Sequence, residues 1–447
     1  MPRVLLTTRC SDTGLYDYFR ENAPRNFRWR FGMPRTISFG LRFLRQNLPD
    51  LHILEYPTRA EFTEQLKKGW DAVGFSFYLE ETNDILGMAA EARQAGIREL
   101  WAGNYGALTP SIQSHFDHVF NSYSEELVAK RLGAELDEIQ HPPLVTRFRL
   151  PGGWSLPVGV LFSSRGCSFR CTFCQTTAFA PKPKEISLQS LDRVLRFYVK
   201  HGVHFVLLLD ENFGNLPAHA DAVIELLARH KVRWLVQSRV DLFLRNFNNW
   251  QKCGMEGALF GIESFHQEIL KQMHKNEKVQ AAFELAERLN RAGLYAQGYY
   301  IIGLPPETPE SIAEDLRTLA SLKLDVTQIT IVTPHPQTEM WRDLDTNYGI
   351  FEKDWSKFDT KHLVWNHPRC APGVLEGLLE QGFRECYGKE WLARTTKKFL
   401  AMRRKQRDFS CIFMGPARSR WAAPHRLPFL PIPVRRQESP AVRSAVA

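Results

Sequence analysis

Three cysteines stand together in a sequence that otherwise scatters them. Cys167, Cys171 and Cys174 fall within V-G-V-L-F-S-S-R-G-C-S-F-R-C-T-F-C, whereas Cys10, Cys253, Cys370, Cys386 and Cys411 each lie alone, as inert thiols of a reducing compartment do. A three-two spacing lets one short loop wrap three thiolates around a small inorganic centre. A closed structural zinc site takes four ligands, and the next Cys or His after Cys174 is His201. Three thiolates instead suit a four-iron, four-sulfur cluster with one iron left open, since such clusters normally take four cysteines. An open iron implies that a further molecule binds there.

The other chemistry-bearing residues recur where strands should end. Asp210 and Glu211 close F-V-L-L-L-D-E-N-F, where acids can accept hydrogen bonds from an ammonium or sit at a helix N-terminus. Gln237 and Arg239 close W-L-V-Q-S-R-V-D; the arginine is able to clamp a carboxylate or to pair with Asp241 or Asp210. Glu263 closes G-A-L-F-G-I-E-S, and Gln297 and Tyr299 share one face of A-Q-G-Y-Y-I-I-G by strand alternation. Glu307 and Thr308 read as the cap of the helix that follows.

Those strand ends belong to a regular series. From residue 156, strand candidates end near Ser163, Asp210, Ser238, Ser264, Gly303 and Pro334, each followed by a helical segment. Six β–α units in a row predict a partial parallel barrel over 156–345 with its chemistry at the strands' C-terminal ends. Residues 1–133 also alternate short apolar strands with amphipathic helices and predict a doubly wound, Rossmann-like parallel sheet. Residues 134–155, with Pro142, Pro143, Pro151, Gly152 and Gly153, read as a linker. Residues 346–400 read as a small helical annex, in which Trp355, Phe358, His362 and Trp365 form either a substrate wall or a satellite core. Residues 401–447 read as a basic, Pro-rich tail. The expected class is therefore α/β, with a doubly wound sheet, a partial (β/α)6 barrel and an annex.

The cysteine motif resembles that of the radical S-adenosylmethionine (SAM) superfamily: Cys-x3-Cys-x2-Cys after the first barrel strand, with an aromatic, here Phe173, before the third cysteine. The resemblance implies a [4Fe-4S] cluster on Cys167, Cys171 and Cys174. It further implies SAM chelated to the open iron and cleaved to a radical that abstracts hydrogen from unactivated carbon. It implies SAM contacts from the strand ends: Asp210 and Glu211 toward the amino group, Glu263 toward the ribose, with Gln237, Arg239, Gln297 and Tyr299 beside them. An external electron donor, flavodoxin or ferredoxin, follows from the same chemistry. The turn G-L-P-P-E-T (303–308) and T-P-H-P-Q-T (333–338) are similar to family turns, with Pro306 and Gln337 where glycines are usual.

The N-terminal segment resembles the cobalamin-binding domain of one class in that superfamily, through V-L-L-T-T, D-A-V-G-F-S, A-G-N-Y-G-A-L-T-P and the S-E-E-L of 124–127. Gly103 and Gly106 are the expected points of close cofactor approach. The departures are the missing Asp-x-His-x-x-Gly loop, Ala102-Gly103 for Gly-Gly, and Ser122-Tyr123-Ser124-Glu125 for Gly-Glu-Gly-Glu; His52 reads as packed within a strand. With cobalamin the expected reaction is C-methylation of a small molecule such as a lipid, tetrapyrrole or secondary metabolite. With a degenerate domain it is a cyclisation or oxidation. A non-catalytic iron–sulfur protein needs none of the strand-end polar residues.

Composition bounds the partners. The 447 residues are 44% hydrophobic and 24% charged, ordinary values for a globular chain. Of the net charge of +9, the tail carries +8, from ten Lys or Arg against Asp408 and Glu438, leaving +1 for the first 400 residues. No basic groove for nucleic acid is implied. No apolar run approaches the roughly 20 residues that span a bilayer, and a cytoplasmic location is expected. The stretch 397–414 interleaves apolar and basic residues, so a peripheral contact with an anionic membrane is expected if this helix lies on its surface; a solvated tail is the alternative.

Overall fold

Strand alternation in the first 133 residues sorts side chains to two faces, and both faces are covered. The computed structural model describes residues 2–11, 16–17, 34–35, 37–149, 155–406, 430 and 435–436. Strands β1 (Val4–Thr7), β2 (His52–Leu54), β3 (Ala72–Ser76), β4 (Glu99–Gly103) and β5 (His118–Val119) form a parallel sheet in the order β2-β1-β3-β4-β5. Leu5, Val73, Phe75, Leu100 and Ala102 pack one face against α2 (Arg59–Leu66) and α3 (Thr82–Gln94). Val4, Leu6, Ala72 and Trp101 pack the other against α1 (Phe39–Asn47) and α4 (Glu125–Arg131). Helices on both faces of a parallel sheet define the doubly wound class, whose ligand crevice opens at the strands' C-terminal edge beside the switch in strand order. Here the switch lies between β1 and β3. His52 lies in β2 but is exposed, with its ring 4.9 Å from Trp70.

The second unit is a seven-stranded sheet. Strands β6 (Leu144–Arg149), β7 (Ser155–Leu161), β8 (Phe205–Leu208), β9 (Arg233–Gln237), β10 (Met255–Glu263), β11 (Tyr295–Ile302) and β12 (Val326–Ile331) follow each other in sequence order. β7 to β12 are parallel, and β6 joins β7 antiparallel. The stretch read as a linker thus supplies an edge strand; its prolines and glycines lie outside Leu144–Arg149 and hid the β-branched and apolar run between them. Residues 401–406 continue the last helix rather than starting a tail.

Alternate residues of β11 are half-buried and fully buried in turn. The buried set (Ala296, Tyr300, Ile302) packs on the main core beneath α6 (Leu188–Lys200), α7 (Pro217–Arg229), α8 (Val240–Lys252), α10 (Val279–Ala292) and α11 (Pro309–Ser321). Of the half-buried set, Tyr295 and Tyr299 belong to a separate apolar cluster on the concave face, with Val158, Leu207, Leu235 and Leu259. The annex adds α13 (Val374–Cys386) and α14 (Lys389–Gln406). No described helix is long and apolar enough to cross a membrane.

Candidate functional site

The cysteine loop leaves β7 and is fastened by backbone geometry before any metal enters. Ser163 and Ser164 each donate through N–H and hydroxyl to Asp210, at 2.6 to 2.9 Å. Gly166 has φ +93°, and a Cβ there would lie 2.7 Å from the Lys182 carbonyl, so only glycine fits the turn. The Cys167 N–H then donates to Ala180 O, and the Cys174 N–H to Cys171 O. Thr172, between the last two cysteines, donates to Met273 and accepts from the Met340 N–H, which ties the loop to the far side of the barrel.

All three thiols are half-buried, and Cys174 acts electrostatically on both Cys167 and Cys171. Burial pushes each up, Cys171 to about 11, while Lys275 and Arg239 pull Cys171 back down. Thiols so raised are protonated at neutral pH; coordination to a cation is what would ionise them. Among the described residues no three His, Cys, Asp or Glu side chains converge on one metal ion. The loop presents three spaced thiols.

Of the sequence-predicted strand-end residues, Asp210, Glu211 and Arg239 contact this loop, and several have other partners than expected. Asp210 faces Ser163 and Ser164 and is fully buried, its carboxyl pushed up by burial to about 7; in this structure it braces the loop. Glu211 accepts from the Gly166 N–H at 2.9 Å and from the Tyr123 hydroxyl. Arg239 donates to Asp241 and to the Lys275 carbonyl, with its guanidinium 4.2 Å over the Phe169 ring. Glu263, at φ +63°, is held by Lys275 at 2.9 Å. Lys275 also faces Glu277 at 3.4 Å; burial opposes its charge, yet the two glutamates hold its pKa above the ordinary lysine value. Gln297 donates to Tyr299 and accepts from Tyr295 on the concave face. Gln237 is half-buried at the end of β9, and Phe173 packs at the margin of the main core.

Polar atoms without partners show what the loop would accept. Asn212 is fixed through its Oδ1 by the Arg239 N–H and the Ser238 hydroxyl, and Asn215 through its Oδ1 by the Ser168 hydroxyl. Asn212 Nδ2, Asn215 Nδ2, Arg239 Nη1 and Gln175 Nε2 are buried with no acceptor. Buried donors left open are costly, so four beside one loop fit an acceptor-rich group such as a carboxylate or inorganic sulfide.

A cleft of about 220 Å3 opens beside the loop, along the C-terminal edge of the first sheet. Thr8, Ser76, Gly103 and Ser122 line it from the strand ends, and Phe162, Phe179 and Glu211 close it from the barrel. Gly103 borders this cleft, but Gly106 does not: a Cβ there would lie 2.3 Å from the Phe77 ring, so Gly106 serves loop packing. Buried His141 accepts the Phe162 N–H at 2.9 Å and meets Pro142 O with its other nitrogen, and desolvation lowers its pKa to about 3. A neutral imidazole thus fixes the residue between cleft and loop. Arg165 crosses from the loop to Glu125 at 2.6 Å and lies over the rings of Phe43 and Tyr123. Tyr105 bonds Thr176 at 3.1 Å. Sequence reasoning missed Lys275, which lies in no motif, and gave no role to Tyr105, Arg165 or Glu125 inside the motifs that hold them; only proximity gives these side chains meaning.

A doubly wound sheet, a partial barrel, and three thiols on the loop that leaves the barrel's first parallel strand define the class of protein. Residues 161–319 match the family described as the radical SAM superfamily. An uncharacterized methyltransferase, PH0819, of Pyrococcus horikoshii is 29% identical over 52% of this chain and 52% of its own length, so the match spans about half of that relative. The bacteriochlorophyllide d C-8(2)-methyltransferase of Chlorobaculum tepidum is 24% identical over 73% of this chain and 80% of its own length. The radical SAM methyltransferase TsrM of Kitasatospora setae superposes with a TM-score of 0.59 over 91% of this chain and all of that one; at 13% identity the likeness is one of fold.

Proposed function

We propose that this chain is a cobalamin-dependent radical SAM methyltransferase acting on an unactivated carbon of a small molecule. The observation that carries the reading is the adjacency of two sites: the cysteine loop and the cleft share Glu211, which bonds the loop at Gly166 and lines the cleft. The names of the Chlorobaculum relative and of TsrM, whose structures include one with cobalamin and a [4Fe-4S] cluster, support it.

Cys167, Cys171 and Cys174 would hold the cluster. Asn212, Asn215, Gln175 and Arg239 would meet acceptor groups of the cluster and of SAM. The cleft over β1, β3 and β4 would hold the corrin, with residues 1–133 as the cobalamin unit, 156–345 as the catalytic barrel and 346–400 as its support. Bound, these groups supply one-electron cleavage of SAM and a methyl donor; the protein orients them and keeps water out. A flavodoxin or ferredoxin is the proposed reductant and the cytoplasm the proposed location.

The test is the spectrum of protein produced with hydroxocobalamin and reconstituted anaerobically with iron and sulfide. Corrinoid bands that survive gel filtration, with about four irons per chain lost on replacing all three cysteines by alanine, are the expected result. Retained iron and continued SAM cleavage in the triple variant would overturn the cluster assignment. Active protein free of corrinoid would overturn the methyl transfer.

A further inference from the structure

The concave face of the barrel carries a chemical signature of its own. Register places Leu207 beside Leu235, Leu259 between Gln237 and Gln297, and Tyr299 beside Gln328. These positions are half-buried or line the inner apolar cluster, whereas the convex face is sealed under helices. Above Arg233, every described position on this face of β7 to β12 is uncharged until the rim. The charges at both ends are engaged: Arg233 pairs with Glu256 at the floor at 2.5 Å, and at the rim Glu263 pairs with Lys275 and Arg239 with Asp241.

Resting on the radical SAM reading of the barrel mouth, we infer that this face receives an uncharged, amphipathic portion of the substrate: an apolar framework bearing carbonyl or hydroxyl groups, and no phosphate, sulfonate or carboxylate. A leucine floor takes the apolar framework out of water. Glutamine amides and tyrosine hydroxyls can each donate and accept, so they match neutral polar groups. An anion placed there loses its hydration and gains no countercharge, which is strongly unfavourable.

Two probes of nearly the same shape isolate charge as the variable: neutral N-phenylnaphthylamine and its sulfonated counterpart, anilinonaphthalenesulfonate. Binding is measured by equilibrium dialysis on the reconstituted full chain, with and without saturating hydroxocobalamin to fill the cleft. The neutral probe should bind at least about tenfold more tightly, unaffected by hydroxocobalamin, and Gln297→Glu and Gln328→Glu should each weaken it by a similar factor while melting like the parent. Equal or tighter binding of the sulfonate, or neutral-probe binding that both variants leave unchanged or that hydroxocobalamin displaces, would overturn the inference. Discrimination between the probes by protein that retains no hydroxocobalamin would uphold the uncharged lumen and count against methyl transfer instead.

Discussion

At the scale of single residues, the join between loop and cleft rests on buried polar contacts. Arg165 and Glu125 are each less than a tenth exposed, and the arginine is further held between two rings. Removing one member of such a pair leaves the other charge buried and uncompensated, at a cost of about 3 kcal/mol or more. Arg165→Met should therefore destabilise by that order in urea melts, and adding Glu125→Leu should restore most of the loss. A double variant as unstable as the single one would mean that the arginine matters through packing on Phe43 and Tyr123 instead. Gly166 makes a sharper local prediction. Gly166→Ala places a methyl against two carbonyls at a left-handed φ, so reconstituted iron should fall while far-UV circular dichroism stays native.

At the scale of elements, α14 shows how the end of the helical annex is part of the barrel's support. Trp391 donates its indole N–H to Asp325 O at 2.7 Å, Arg394 donates to Leu324 O, and Lys398 reaches the buried Asp325 carboxylate at 2.6 Å. Those contacts fasten the residues that lead into β12. Lys398 is accordingly a structural cation rather than one available to a membrane. Lys398→Met should lower stability by about 2 kcal/mol, and Asp325→Asn in the same chain should recover part of it. Beyond Gln406, Leu430 exchanges hydrogen bonds with Gln46, and Arg435–Arg436 pair antiparallel with Ala134–Glu135. The remainder of the amphipathic stretch, 407–414, lies outside the described residues. A membrane test by truncation should begin after Gln406, because a cut at 397 removes the Asp325 anchor; salt-sensitive liposome binding lost on that shorter deletion is the expected sign of a peripheral contact.

At the scale of the whole molecule, four buried titrating groups oppose each other. Burial raises Asp210 and Glu307 to about 7, so the folded state holds protons on them that the unfolded chain sheds; their contribution falls as pH rises from the ordinary carboxylate range toward 7. Desolvation lowers His141 to about 3 and His335 to about 4, so the unfolded chain takes up protons that the fold refuses; their contribution falls as pH drops below about 6.5. Between roughly pH 4.5 and 6 the four nearly cancel. Asp210→Asn removes one acid, and the variant's stability should then rise with pH relative to the parent by up to about 1.4 kcal/mol per unit in that window. Parallel pH–stability curves for the two proteins would show that Asp210 is ionised in the fold.

The sequence by itself determined the cysteine motif, the β–α rhythm of both units and the placement of polar residues at strand ends. Those signals are local: spacing along a loop, a period of two in strands, an amphipathic period in helices. Tertiary structure decided what each polar residue faces. Asp210 and Glu263 are acids at strand ends in either description, but whether an acid meets a ligand, a loop or a lysine depends on side chains far away in the chain: Lys275 for Glu263, Ser163 and Ser164 for Asp210, Tyr123 for Glu211. Gly103 and Gly106 are equivalent in sequence, and only the position of the Phe77 ring separates a cleft lining from a packing contact. The edge strand at 144–149 was hidden for the same reason. Its partner β7 follows a Pro- and Gly-rich stretch of sequence, and hydrogen bonds between strands leave no mark on composition.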